Sequence, residues 1–165
     1  MRIILGLPCF LIVILFFVPN LSQARELHGR LGVGFNSEFA NSSLAGGVPG
    51  VSLKYGLTRD IGFEVIAGVA TSSPTNSVTA VKLAKHLFME TNLNFSFFLG
   101  GGILSGGGNS GAEFMGGFGA EFFIPGIESL GFSTDVGASF DNLSGSFVVK
   151  TLGVSFLNAG IHFYF

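Results

Sequence analysis

Charge is what this chain lacks most. Its 165 residues include 8 Lys and Arg and 10 Asp and Glu, so 11% are charged, against about 25% in an ordinary soluble domain. So few ions cannot clothe a water-facing surface. A formal net charge of −2 also leaves no basic patch of the kind that binds nucleic acid. Tryptophan is absent, and there are only two tyrosines. The single cysteine, Cys9, lies in an N-terminal apolar segment, so the chain beyond it has no thiol. That excludes disulfides, cysteine metal sites and thiol catalysis there. After residue 24 no apolar run is long enough for a spanning helix. No cofactor motif stands out either: the glycine clusters at 100–102 and 106–108 are not followed by a helix, as phosphate and dinucleotide loops require.

What the chain has instead is 26 glycines, 20 phenylalanines and a hydrophobic fraction of 48%. A hydrophobic chain without spanning helices satisfies its backbone in lipid only as a closed β-barrel. The first 24 residues stand apart from this argument. Met1-Arg2, the apolar run Ile3 to Val18, and Pro19 to Ala24 with small residues at Ser22 and Ala24 predict a secretory signal cleaved after Ala24. A membrane anchor is the competing reading, but Gly6 and Pro8 interrupt the run and a strand pattern follows it at once. The expected organisation is a signal peptide over 1–24 and one barrel domain over 25–165.

From Arg25 the pattern is strand, break, strand. Leu27, Gly29, Leu31, Val33 and Phe35 alternate with His28, Arg30, Gly32 and Gly34, the period of a strand. Val51 to Leu57 and Ile61 to Val69 repeat it around the turn Thr58-Arg59-Asp60. That turn sets Lys54 opposite Glu64 and Tyr55 opposite Phe63. The fourth strand runs from about Thr79 to Met89, and a turn at Glu90-Thr91-Asn92 sets Leu83 opposite Leu99 and Leu87 opposite Phe95. Leu93 to Ile103, Phe114 to Ile124 and Leu130 to Phe140 continue the series, and Thr151 to Phe165 closes it. The expected fold is all-β, an eight-stranded antiparallel up-and-down transmembrane β-barrel. Tight turns follow strands two, four and six, and looser Asn, Ser and Gly loops follow the odd strands, so both ends of the mature chain belong on the periplasmic side.

The apolar face carries large Phe, Leu, Ile and Val side chains, which fit hydrocarbon and would overfill a narrow lumen. The other face is mainly Gly and Ser with about one charge per strand. That is too little polarity for the outside of a soluble lipocalin-like barrel. Lys85 departs from the pattern. It falls on the apolar face, where it must either reach the nearby turn or be rotated inward by a bulge. Without tryptophan, the aromatic belt rests on Phe63, Phe95, Phe122, Phe132, Phe163 and Phe165.

Eight ions fall on the inward face: Arg30, Lys54, Lys82 and Lys150 against Glu64, Glu113, Glu121 and Asp135. An unpaired charge is costly in a narrow cavity, so these are expected to form an ion-pair network, with Lys54 to Glu64 its leading pair. A proton path, an ion path or a ligand cavity is the functional alternative to a structural plug.

The last strand alternates up to Phe165, and this terminal pattern is similar to the C-terminal assembly signal of bacterial outer-membrane barrels. The whole of 25–165 resembles the OmpA/OmpX-like group of small eight-stranded barrels. The resemblance implies a bacterial outer-membrane location and contact with membrane lipid. It further implies that Leu157, Ile161, Phe163 and Phe165 are read by the barrel-assembly machinery. The group also contains lipid A-modifying enzymes with a Ser or His at the exterior rim, but His28, His86 and His162 all fall toward the periplasmic end here. The expected role is therefore non-enzymatic, structural or surface-interacting, with no cofactor and no nucleic acid. A carrier or narrow channel for a small solute, hydrophobic ones included, is the second reading. The sequence identifies no ligand.

Overall fold

The protein is described as a computed structural model over residues 26–37, 48, 50–71, 73, 75–143, 145–152 and 158–165. The expected signal segment, with Cys9, and Leu157 of the expected assembly signal lie outside the described residues.

Nine strand segments occur in chain order: β1 (Leu31–Asn36), β2 (Gly50–Gly56), β3 (Ile61–Ala70), β4 (Asn76–Glu90), β5 (Leu93–Gly106), β6 (Asn109–Ile124), β7 (Ile127–Leu143), β8 (Ser146–Thr151) and β9 (Asn158–Tyr164). Each pairs antiparallel with its predecessor from β2 to β8, and β9 pairs with both β7 and β1. On β7, Thr151 pairs with Ala138 and Asn158 with Asp135. The eighth strand is therefore carried by two segments, β8 toward one end of the barrel and β9 toward the other. Gly32 to Asn36 of β1 pair with Tyr164 to Gly160 of β9, which closes the ring of eight strands and removes the open edges a flat sheet would leave.

Alternation decides which side chains leave the barrel. Leu53, Val81, Leu83, Phe114, Phe118, Phe122, Val136, Phe140 and Phe163 all point outward, and Ile103 and Phe114 are about two-thirds exposed, at 66% and 65%. Phe88, Phe95, Phe97 and Phe118 form a run of ring contacts on this outer wall, with centroids 4.8 to 5.9 Å apart. Phe122 pairs with Phe132 and Phe132 with Ile161, so two of the expected belt residues share one level near the turn end.

Four expectations need correction. Leu27 and Gly29 do not continue the outer face of the first strand. Gly29 takes a positive φ of 75°, the amide of Arg30 donates to the Leu27 carbonyl, and Leu27 turns inward to pack against Phe123 and Tyr164. A Cβ is disfavoured in that left-handed conformation, which explains a glycine at this bend.

The second correction is Leu87, which does not face Phe95. A bulge between His86 and Phe88 skips it, Phe88 takes the place opposite Phe95, and the turn shrinks to Thr91-Asn92. One extra residue in a strand shifts the register by one beyond it. Lys85 precedes that bulge and stays in the outward register opposite Ile61 and Phe97, yet it is 3% exposed because its ammonium reaches back 3.2 Å to Asp60 in the adjacent turn.

The third concerns the connection after β5, which is not a loose loop. Gly106 pairs with Asn109 around Gly107-Gly108, with φ of 60° and 82°, a tight hairpin turn of the kind two positive φ values define. Leu143 likewise pairs with Ser146. Tight connections thus occur at both ends of the barrel. The fourth is the start of the fourth strand, expected at about Thr79, which lies at Asn76, so that Val78 belongs to β4.

Candidate functional site

The inward positions hold the chemistry, arranged in layers. Closest to the end bearing residues 57–60, Leu27, Phe123 and Tyr164 form a small apolar cluster. Above it lie Lys54, Glu64, Lys82, Glu121 and Asp135. Val48, Ile66, Val78, Ala80, Phe98, Leu104, Met115 and Leu152 then form a buried apolar cluster inside the barrel. Toward the opposite end Glu113, Asp141 and Lys150 make a separate ionic group. Glycine makes room for these layers at close approaches: a Cβ on Gly102 would lie 2.7 Å from that of Ala80.

Lys54 and Glu64 are cross-strand neighbours, as their register requires, but their charged ends part. The Lys54 ammonium lies 3.2 Å from Glu121 Oε1, which also accepts a 2.7 Å hydrogen bond from the Tyr164 hydroxyl. Glu64 is met by Lys82 at 3.5 Å and by the Asn36 amide, which donates at 2.9 Å. Lys82 also donates at 2.8 Å to Asp135 Oδ2, where the Asn158 amide donates at 3.0 Å. Backbone register sets which Cα atoms face each other. A lysine has four methylenes, and its ammonium settles on whichever carboxylate across the lumen leaves the fewest groups without a partner.

Arg30 joins no ion pair among the described residues. Its guanidinium lies 5.9 Å from the centre of the Tyr164 ring and 3.4 Å from the Tyr164 carbonyl oxygen. Lys150 lies 2.8 Å from Asp141 and 3.8 Å from Glu113. Of the terminal residues singled out, Ile161, Phe163 and Phe165 point outward.

Sequence reasoning missed several interior groups. Asp141, just past the Phe140 end expected for the seventh strand, is fully buried and faces Glu113 across β6 and β7. Its odd parity within β7, shared with Ser133, Asp135 and Ser139, was the available signal. His162 was placed near the periplasmic end. It is wholly buried, hydrogen-bonded through Nε2 to Ser52 Oγ, with Glu64 at 3.6 Å and Glu121 at 3.9 Å. Ser52 is buried as deeply, so its hydroxyl is not offered to solvent. The interior apolar cluster includes Phe98 and Leu104 of β5, whose even parity, opposite to that of the outward Leu99 and Ile103, was the available signal.

The Lys54 geometry makes an expected result specific. In a double-mutant cycle, Lys54→Ala with Glu121→Gln should show a coupling larger than Lys54→Ala with Glu64→Gln, measured by denaturant unfolding of the folded barrel in detergent. Equal couplings would contradict the assignment of Lys54 to Glu121.

Fold and interior define a class: small, closed, eight-stranded antiparallel β-barrels whose lumen is largely occupied by side chains, the group that the alternation pattern resembles. Among solved structures, the N-terminal β-barrel domain of Pseudomonas aeruginosa OprF is similar, with a TM-score of 0.55 over 82% of this chain and 96% of that one. The two are 17% identical, so the likeness is one of fold. No protein-family model matches the sequence, and no curated protein does.

Proposed function

We propose that this chain is an outer-membrane β-barrel of a Gram-negative bacterium, with a structural or surface-interaction role and a lumen plugged by ion pairs. The observation that carries the reading is the inversion of the two surfaces: large apolar side chains ring the outside, while Glu64, Lys82, Glu113, Asp135 and Asp141 are buried inside. Water around such an exterior would be unfavourable at about 25 cal/mol per Å² of apolar area. Hydrocarbon removes that penalty. The role is read as non-enzymatic. We place residues 26 and 165 on the periplasmic side, because Asn36 and Gly50, the strand ends separated by the longest interval between consecutive strands, lie at the opposite end, and longer loops face outward in this class.

Fractionation of the producing cells tests the location, and protease added to intact cells tests the orientation. Recovery in the soluble periplasm would end the membrane reading. In planar bilayers the purified monomer should show at most rare, small openings, because an eight-stranded interior is just wide enough for its own side chains, whereas porins use 16–18 strands. Steady conductance of porin size would refute the plugged lumen while leaving the location intact.

A further inference from the structure

The layer of ions near the turn end does not fill its space. A cavity remains there, lined by Lys54, Glu64, Lys82, Glu121 and Asp135, with Leu27 and Phe98 among its apolar walls. It offers about 60 Å³ to the centres of water-sized molecules, room for about four to six waters or for a solute of similar size. Three carboxylates face two ammonium groups across it. His86 lines the same cavity, and Arg30 does not, lying against the Tyr164 ring.

The carboxylates are not fully used by the protein. Asp135 and Glu121 are 8% and 7% exposed, each more than nine-tenths buried. Lys82 and Asn158 both donate to Asp135 Oδ2, and Lys54 and Tyr164 both donate to Glu121 Oε1. The second oxygens, Asp135 Oδ1 and Glu121 Oε2, receive no hydrogen bond from any described residue. An acceptor that no protein donor meets is open to the N–H groups of a ligand, and an excess of carboxylate over ammonium beside apolar walls favours a cationic one.

We propose that this chamber binds a compact organic cation of the guanidinium or primary-ammonium type, whose N–H groups reach Asp135 Oδ1 and Glu121 Oε2. A metal ion is a poorer match, because among the described residues no three His, Cys, Asp or Glu side chains converge closely enough to hold one. Guanidinium suits two separated carboxylates, since its fork of donors is planar and its four heavy atoms fit the volume.

Guanidinium chloride at concentrations far below denaturing ones, titrated into the folded full-length barrel, tests the proposal by NMR. The expected result is a saturable shift of amide signals from the cavity lining, absent with sodium chloride at equal ionic strength and with sodium acetate. Gly62→Val should abolish it. A Cβ at Gly62 would meet only His86 Nε2, at 3.9 Å, so the position has room for a side chain that projects into the chamber. Glu121→Gln should weaken binding about tenfold or more, about 1.4 kcal/mol. Shifts equal to those in sodium chloride, or saturable binding unchanged in Gly62→Val, would overturn the proposal. Either failure leaves the membrane reading standing, since fractionation alone decides that.

Discussion

Replacing Lys82 with methionine is expected to cost the barrel about 3–5 kcal/mol, the largest loss of any single change considered. The Lys82 ammonium is 2.8 Å from Asp135 and 3.5 Å from Glu64, and its side chain is 5% exposed. Methionine keeps much of the length and packing of the lysine stem. What it removes is the charge that two buried carboxylates share. The contact of the ammonium with the Phe98 ring, 4.4 Å from its centroid, is the smaller part of the loss, about 0.5–2 kcal/mol. Adding Asp135→Asn should recover part of the deficit, because one stranded carboxylate is then neutral while Glu64 keeps the Asn36 amide. Urea titration of the folded protein in detergent, followed by its heat-dependent gel mobility, gives the numbers. A loss below about 1 kcal/mol for Lys82→Met would mean that the interior ions are solvated and the lumen is wetter than its packing implies.

The second large effect belongs to the outer wall. Phe118→Arg is expected to destabilise the barrel by about 2–4 kcal/mol in lipid vesicles, the range for a cation near the midplane of the lipid face. Phe118 lies near the middle of β6, points outward, and is flanked by Phe97 and Val136 across its two ladders. The wild-type chain already shows what an outward lysine needs: Lys85 is tolerated close to a turn, with Asp60 within 3.2 Å. No such turn is near Phe118. The same substitution in a water-exposed barrel would be neutral or stabilising, so its sign separates a lipid-facing wall from a soluble one.

Parity was legible in the sequence wherever the strands are regular. The outward set on β2, β3, β5, β6 and β7, and the inward placement of Lys54, Glu64, Lys82, Glu113, Glu121, Asp135 and Lys150, could be counted from the chain, because in a strand the facing of a side chain depends only on whether its number is odd or even. Parity fails where the count is interrupted. Leu87 is a bulge that no pattern of large and small residues announces, and Leu27 lies before the first regular strand, where Gly29 bends the chain inward.

What the sequence determined by itself is the closed antiparallel barrel and its two faces, since scarce charge, abundant Phe and Gly, and period-two alternation leave a hydrophobic chain no other way to satisfy its backbone. Which ammonium meets which carboxylate was decided only by the tertiary structure. Lys54 and Glu64 are paired in register yet separate at their tips, and Lys82 bridges Glu64 to Asp135, a residue 53 positions away in sequence. The barrel's curvature brings β4 and β7 across the lumen from each other. Long flexible side chains then choose partners by distance and burial, quantities that closure creates and that a linear pattern does not contain.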